Sequence, residues 1–288
     1  MKENRMNKLV KNNCGEEITL HDVKQKLLQM LIVFAEFCEK NGIRYYLSGG
    51  TLLGAVRHEG FIPWDDDIDL NIPRPDCEKL QEISGGQIGN YVLVPPNPDL
   101  LYPSNFWRLY DNSVVIENTM KNSVREPVYH PLFIDIFPIE GLPEDDSLTK
   151  SHYDSMLLSK KMFGILNTPI WTGKTLSKKI IHTLVRPFAL VMGKNYWFSR
   201  IQKIAQSIPF GSTNYIGVMM TNIHTVEERV RMDEFIPSVK VNFEGHQFNG
   251  PKGYDTYLRQ LYGDDYMQLP PEEKRQSHHG FHFYNYTA

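Results

Sequence analysis

The 288-residue chain has few cysteines, no long apolar run and no excess of positive charge. Its three cysteines, Cys14, Cys38 and Cys77, form no CxxC pair, which argues against a disulfide framework and against a cysteine-ligated zinc. No apolar stretch approaches the roughly 20 residues of a membrane span, and the polar N-terminal stretch lacks a secretory signal. A formal net charge of -3 gives no basis for nonspecific binding to nucleic acid. These absences indicate a reducing, cytoplasmic location and no nucleic-acid partner.

The composition is otherwise that of a globular protein, with 41% hydrophobic and 23% charged residues. Apolar residues recur at helical spacing from Leu20 to Lys40, Thr19 is a suitable N-cap, and Asn41-Gly42 provides a stop. Residues 1–18 are expected to form a flexible tail. Alternating apolar residues predict strands at Ile43–Leu47, Asp67–Ile72, Tyr91–Val94, Phe106–Tyr110, Val114–Ile116 and His130–Glu140, with a turn at Asp111-Asn112.

The segment Leu47–Leu70, LSGGTLLGAVRHEGFIPWDDDIDL, contains the first candidate for a functional site. A small-residue turn, Ser48-Gly49-Gly50-Thr51, follows an apolar run and precedes a short predicted helix, Thr51–Arg57. Glycines lack a Cβ, so the backbone N–H groups of such a turn are accessible to an anion. The helix N-terminus adds a positive dipole end, and the pattern therefore favours phosphate binding.

The same segment ends in a cluster of aspartates. In Asp67-Ile68-Asp69, strand alternation would place both carboxylates on one face. Two such charges repel unless a cation lies between them, and hard divalent metals prefer oxygen ligands. We interpret Asp65 and Asp66 as turn residues or as indirect supports of the site. The alternative is a glycine turn followed by a solvated acidic loop.

A third carboxylate interrupts a later apolar strand. Asp135 lies between Ile134 and Ile136, where a charge is costly unless it is paired or bound to a metal. The alternative places Asp135 on an exposed strand face. A glycine turn, an Asp-x-Asp pair and a third aspartate are together what metal-dependent nucleotidyl or phosphoryl transfer requires.

The middle of the chain has a different character. Residues 144–210 are predicted to form a helical insertion, and they carry no candidate cluster of catalytic acids. Residues 175–200 mix basic and apolar residues, and the basic amphipathic face of this helical stretch could rest on an anionic membrane surface. The alternative is the solvated face of an ordinary helix.

Three motifs together resemble the LicD family, the bacterial phosphocholine transferases related to fukutin-type proteins. They are GGTLLGAVRHEGFIPWDDDIDL, FIDIFPIEG and YLRQLYGDDYMQLPP, and the resemblance extends from about Leu20 to His279. It implies an α/β (α+β) protein with a nucleotidyltransferase-type fold, in which helices flank a central mixed β-sheet. Residues 19–143 would form the catalytic core, and 211–288 would complete it and the edge of the active site.

The resemblance also implies an activity. Phosphocholine would move from CDP-choline to a hydroxyl of a cell-surface glycan precursor of teichoic acid, lipopolysaccharide or capsule, with Mg²⁺ or Mn²⁺ as cofactor. The acceptor could be lipid-linked, which would place the enzyme at the inner face of the membrane. Carried over to this chain, the catalytic and metal-binding positions fall on Asp67, Asp69 and Asp135, and the substrate-binding positions on Ser48, Gly49, Gly50, Thr51, Arg57, His58 and Arg108.

Several alternatives stay open at this point. The general base is Asp135 or a histidine such as His278 or His279. The quaternary ammonium group of choline would need an aromatic pocket. The candidates for it are Tyr102, Trp107, Tyr129, Tyr254, Tyr262 and Tyr266. Another nucleotide-activated donor, a nucleotidyltransferase, or an idle binding relative are the competing functions, and the oligomeric state is not determined by the sequence.

Overall fold

The computed structural model describes residues 13–100, 103–119, 128–168, 175–221, 224–277 and 279–287. The α-helices of these residues are α1 (Leu20–Asn41), α2 (Gly49–His58), α3 (Arg74–Ser84), α4 (Asp146–Asn167), α5 (Leu176–Met192), α6 (Lys194–Ala205), α7 (Met232–Phe235) and α8 (Tyr254–Tyr262). The strands are β1 (Cys14–Glu17), β2 (Tyr46–Leu47), β3 (Asp69–Pro73), β4 (Gln87–Ile88), β5 (Tyr91–Val94), β6 (Trp107–Asn118), β7 (Val128–Leu142), β8 (Tyr215–Val218), β9 (Val230–Arg231), β10 (Ser238–Phe243), β11 (His246–Pro251) and β12 (Phe281–Tyr286).

Ten of the strands form one mixed sheet, whose main path runs β1-β12-β6-β7-β3-β2. Strands β3 and β7 are parallel, and the other pairs are antiparallel. Strand β5 joins β4 to β6, β8 joins β9 to β7, and β10 and β11 form a separate hairpin. The predicted α/β class with a central mixed sheet is confirmed.

Helix α1 forms as its sequence predicts. The Thr19 hydroxyl accepts a hydrogen bond from the N–H of Asp22, and the Asp22 carboxylate accepts one from the N–H of Thr19, which makes a capping box. Gly42 ends the helix in the left-handed conformation, at φ 60°, where a residue without a Cβ fits best. The apolar face, from Val23 to Cys38, is buried in the main core.

Three expectations about strands are wrong. Residues 14–17 do not belong to a flexible tail, because they form β1 and pair with β12 at the other end of the chain. The predicted strand Ile43–Leu47 is reduced to β2. The predicted turn at Asp111-Asn112 lies inside the continuous strand β6, where the register with β7 shifts. The Asp111 carboxylate accepts a hydrogen bond from the N–H of Ser113, so the local turn signal produces a bulge instead of a chain reversal.

Helices α4, α5 and α6 account for most of the predicted helical insertion of residues 144–210. Tyr153, Met156 and Phe163 of α4 and Trp197 and Ile201 of α6 join the main core. Helix α5 has one buried apolar side chain, that of Ala189. Among the described residues, no helix combines the length and the hydrophobicity needed to cross a lipid bilayer.

Candidate active site

Two of the predicted carboxylates lie side by side because β3 and β7 are parallel neighbours. Asp69 and Asp135 are directly paired in the register of these strands. Residues paired in this way on adjacent strands project their side chains to the same face of a sheet. The sheet therefore brings together carboxylates that are far apart in sequence, as the prediction of a shared site requires.

Asp65, Asp66 and Asp67 precede β3 and complete the acidic cluster. One carboxylate oxygen from each lies within 4.8 Å of the others. The predicted strand Asp67–Ile72 starts later than expected, because β3 begins at Asp69 and Asp67 belongs to the preceding loop. The charge of Asp67 still acts on Asp69 and raises its pKa. Asp65 lies in the cluster itself, where the sequence predicted a turn residue or an indirect support.

The N-terminus of helix α2 meets this cluster. The two glycines form the first turn of the helix, so the expected separate turn before a helix starting at Thr51 is wrong. A Cβ on Gly50 would lie 2.9 Å from Oδ2 of Asp65, and one on Gly49, at φ 49°, would lie 3.3 Å from Oδ2 of Asp69. A side chain at either position would therefore displace a carboxylate, and the positive φ of Gly49 also favours glycine there.

Hydrogen bonds fix helix α2 to strand β3. The N–H of Ser48 donates to the carbonyl of Asp69 at 3.0 Å. The hydroxyl of Thr51 accepts from the N–H of Asp69 at 2.9 Å. Ser48 and Thr51 therefore position the helix N-terminus against the strand that carries Asp69.

Asp65, Asp67 and Asp69 hold protons more tightly than ordinary aspartates. Burial raises the pKa of Asp67 well above its usual range, and the charge of Asp65 raises it further. Burial likewise raises the pKa of Asp69, together with the charges of Asp67 and Asp135. No basic side chain of the described residues pairs with Asp69. A set of crowded carboxylate oxygens suits a divalent cation such as Mg²⁺.

Arg108 is the basic partner of the third carboxylate. It faces Asp135 across β6 and β7, and its Nε donates to Oδ1 of Asp135 at 2.6 Å. Its guanidinium carbon lies 4.3 Å from the centre of the Phe133 ring. Burial raises the pKa of Asp135, and the charge and hydrogen bond of Arg108 oppose that rise. Arg108 thus reaches the site through Asp135, and its predicted contact with the nucleotide stays a prediction.

A second cationic group comes from the C-terminal segment. Nδ1 of His279 lies 2.8 Å from Oδ1 of Asp66, and its Nε2 lies 3.8 Å from Oδ2 of Asp67. Burial lowers the pKa of His279, but the hydrogen bond to Asp66 and the charges of the cluster raise it to about 9. The ring is therefore protonated at neutral pH and acts as a counter-charge. His278, the other predicted histidine, lies outside the described residues.

Arg57 and His58 lie at the other end of helix α2. The helix has 10 residues and is about 15 Å long, so its last turn is remote from the glycines. Nη1 of Arg57 donates to the carbonyls of Tyr266 and Gln268, and its Nε donates to Nε2 of His58. The structure does not bring these two residues to the carboxylates, and it connects Arg57 to the C-terminal segment instead.

Most of the aromatic candidates for a choline pocket have other roles in the structure. The Trp107 ring is buried beneath the guanidinium of Arg74, at 5.0 Å, which makes it part of the core. The Tyr129 hydroxyl donates to Glu117 and the Tyr266 hydroxyl donates to Asp255. Tyr254 is partly buried against the core, and Tyr102 lies outside the described residues.

Among the aromatic candidates that the structure describes, Tyr262 reaches the cluster. Its hydroxyl lies 3.8 Å from the position of a Cβ on Gly49. Burial raises its pKa, with the charge of Asp69 as the next cause. The ring of His224 packs edge-on against it at 5.6 Å.

A buried polar network behind β3 was missed by the sequence analysis. Glu228 accepts a hydrogen bond from the Tyr257 hydroxyl at 2.7 Å, and that hydroxyl also lies 3.3 Å from Nδ2 of Asn71. Burial raises the pKa of Glu228 to about 7. Nζ of Lys160, from α4, donates to the carbonyls of Met219 and Thr221. Glu228 and Lys160 each stand beside other charged residues in the sequence, so nothing local indicates that these two will be buried.

A helix that opens with two glycines and faces clustered carboxylates on a mixed sheet is typical of enzymes that transfer phosphate-containing groups. The family described as LicD/FKTN/FKRP, nucleotidyltransferase domain, matches residues 42–163. The chain is also 30% identical over 273 residues to the lipopolysaccharide cholinephosphotransferase LicD of Haemophilus influenzae, covering 92% of this chain and 97% of that protein. The chain belongs to the LicD family.

Two eukaryotic proteins match smaller parts of the chain. The human ribitol 5-phosphate transferase FKRP is 46% identical over 54 residues, which are 19% of this chain and 11% of that protein. The mannosyltransferase regulator 4 of Saccharomyces cerevisiae is 29% identical over 161 residues, which are 54% of this chain and 13% of that protein.

Proposed function

We propose that this protein is a phosphocholine transferase that uses CDP-choline as donor and a hydroxyl of a cell-surface glycan as acceptor. The observation that carries the proposal is the near full-length match to a lipopolysaccharide cholinephosphotransferase, together with the carboxylate cluster at the N-terminus of helix α2. The acceptor class is a precursor of lipopolysaccharide, teichoic acid or capsule. The site belongs to a nucleotidyltransferase-type fold, and the reaction takes place at the cytoplasmic side of a membrane.

Asp67, Asp69 and Asp135 are the proposed ligands of Mg²⁺ or Mn²⁺, and the position of Asp65 adds a fourth candidate. The crowding of their carboxylates with little compensating charge supports this choice. Asp66 is a weaker candidate, because its two oxygens already contact His279 and Ser277. The bound cation would neutralise charge on the phosphate oxygens.

The chain's own residues have distinct tasks in the proposed reaction. The acceptor hydroxyl oxygen forms a bond to the phosphorus that carries choline, the bond from that phosphorus to the bridging oxygen breaks, and CMP leaves. The acceptor proton passes to a carboxylate, for which Asp135 is the candidate. Arg108 holds Asp135 in position at 2.6 Å, and the protonated His279 offsets the charge of the cluster. Tyr262 is the aromatic candidate to face the choline group.

A related phosphoalcohol is the second candidate for the transferred group. The motif region shared with human FKRP, named a ribitol 5-phosphate transferase, favours it. Both candidates would use the same carboxylates and the same glycines. They differ only in the pocket for the group beyond the phosphate.

Calorimetric titration of the purified protein distinguishes these candidates. With Mg²⁺ present, CDP-choline is expected to bind more tightly than CDP-ethanolamine, CDP-glycerol, CDP-ribitol and CMP. Equal binding of all five would show that the protein recognises only cytidine and phosphate. Preference for CDP-ribitol would replace the choline assignment, and absence of binding by every cytidine nucleotide would refute the donor class.

A further inference from the structure

Charge is strongly segregated along this chain. The 72 residues from Ser155 to Val226 contain nine lysines and arginines and no aspartate or glutamate, in a protein whose net charge is -3. This acid-free segment holds most of α4 and all of α5 and α6. A positive region of this size favours an anionic partner.

Helix α5 presents an apolar stripe on the outside of the acid-free segment. Leu176, Ile180, Leu184, Phe188 and Met192 recur every four residues and therefore share one helix face. Their exposed fractions are 65%, 43%, 73%, 59% and 38%. An apolar stripe that the chain leaves uncovered marks a surface for association.

The opposite side of α5 is bonded to its neighbours. Nη1 of Arg186 donates to the carbonyls of Ile165 and Thr168 at the end of α4, each at 2.6 Å. The indole N–H of Trp197, in α6, donates to the carbonyl of Ala189 at 3.1 Å. These bonds fix the orientation of α5, so the stripe faces outward as a consequence of the fold.

A basic groove lies between α4 and α6. It encloses about 450 Å³, and its lining includes Arg200 and Lys203 together with the hydroxyls of Ser199 and Ser207. Tyr196, 40% exposed, lines the same groove. Cationic and hydroxyl groups in an open groove suit the phosphate of a lipid headgroup.

We propose that α5 lies in the interface of an anionic lipid bilayer, with its apolar stripe among the acyl chains and the basic groups of the groove, Arg200 and Lys203, against lipid phosphates. An amphipathic helix with basic residues and no acidic ones is suited to this position. A second copy of the chain would instead bring two positive regions together, and the resulting repulsion opposes self-association through this face.

A series of contacts connects this surface to the carboxylate cluster. Lys160 of α4 donates to the carbonyl of Thr221, whose hydroxyl donates to the carbonyl of His224. The His224 ring packs on Tyr262, and the Tyr262 hydroxyl lies close to Gly49. If the proposed function is correct, docking on a bilayer would hold the site near a lipid-linked acceptor.

Vesicle flotation of the full chain tests the proposal without any substrate. Wild-type protein is expected to float with vesicles that contain phosphatidylglycerol and to bind vesicles of phosphatidylcholine alone more weakly. Leu184→Glu should weaken binding to the anionic vesicles about tenfold or more, because a charge replaces an inserted side chain. Leu148→Glu is the matched control: Leu148 is 61% exposed, in the first turn of α4, and its change should leave binding unaltered.

Three results would overturn the proposal. They are absence of binding by the wild-type protein to anionic vesicles, equal binding by the two leucine variants, and a wild-type dimer that Leu184→Glu converts to monomers. Circular dichroism and thermal unfolding establish that Leu184→Glu is folded. Flotation needs no turnover, so absence of vesicle binding would leave the transferase assignment intact. Absence of CDP-choline binding in the calorimetric titration would likewise leave the flotation result intact.

Discussion

The variant Asp69→Asn tests whether the Asp69 carboxylate binds a metal ion or stabilises the fold. In the metal-free protein, the Asp69 carboxylate is close to the charges of Asp67 and Asp135, and its pKa is raised. Each unit of that rise corresponds to about 1.4 kcal/mol. A carboxyl whose pKa is higher in the folded than in the unfolded chain loses stabilising protonation as the pH rises from about 4 towards 7. The asparagine variant is therefore expected to be at least as stable as wild type at pH 7, and the difference should shrink at pH 4.

Addition of Mg²⁺ should make the wild-type protein more stable than Asp69→Asn. A cation at one hundred times its dissociation constant stabilises the folded protein by about 2.7 kcal/mol. For a chain of 288 residues, that corresponds to a rise in Tm of roughly 4–5 °C. Wild type should show the rise, and chelator should abolish both the rise and turnover. Asp69→Asn should show neither a rise in Tm nor turnover.

Thermal unfolding gives the Tm of each variant in chelator and in Mg²⁺, and a turnover assay gives its activity. Asp76→Asn is the matched control, because Asp76 is a buried carboxylate that pairs with Arg44 at 2.6 Å. It should lose about 1 kcal/mol of stability in both conditions and retain the response to Mg²⁺. The reasoning is wrong if Asp69→Asn keeps the response to Mg²⁺, or if it is destabilised in chelator as Asp76→Asn is.

Three further predictions concern other parts of the structure. Gly50→Ala should lower turnover about tenfold, because its Cβ would lie 2.9 Å from a site carboxylate. It should not lower Tm, because alanine has a higher helix propensity than glycine. Gly164→Ala is the control: there is open space around Gly164, so turnover should be unchanged. Arg108→Lys should lower turnover, and more so at lower pH, because a lysine cannot reproduce the guanidinium contact that holds down the pKa of Asp135; a pH–rate profile measures this. Burial lowers the pKa of Lys160 from 10.5 to about 7, so the folded state binds fewer protons than the unfolded state between these values. Urea unfolding should show wild-type stability rising from pH 7 to pH 9 by about 2 kcal/mol more than that of Lys160→Met, and equal pH dependence would contradict the assignment.

Local features of the sequence were sufficient to predict most helices. Helix α1 follows from its apolar spacing, the Thr19 cap and the Gly42 stop, because all three act within a few residues. The helical character of residues 144–210 was predicted as well, and helices α4, α5 and α6 confirm it. For these elements the tertiary structure agrees with the local preference.

The strands were predicted less well because their limits depend on distant partners. No local signal indicates that Cys14 pairs with Tyr286, or that β6 continues through the Asp111 bulge along β7. The site was predicted by residue type rather than by geometry. The sequence indicated Asp69 and Asp135 as members of one site, but their direct pairing follows from the parallel register of β3 and β7.

The groups that offset the negative charge of the cluster lie far apart in the chain, so the cluster forms only in the complete fold. Its carboxylates come from one short loop and two strands, whereas the groups that offset their charge come from separate parts of the chain. Arg108 lies on β6, His279 precedes β12, and the helix dipole is that of α2. None of these groups is near Asp67 or Asp135 in sequence, so folding of the sheet must bring them together before the carboxylates can tolerate each other. Formation of the candidate site therefore requires the C-terminal strand, although that strand carries none of the proposed metal ligands.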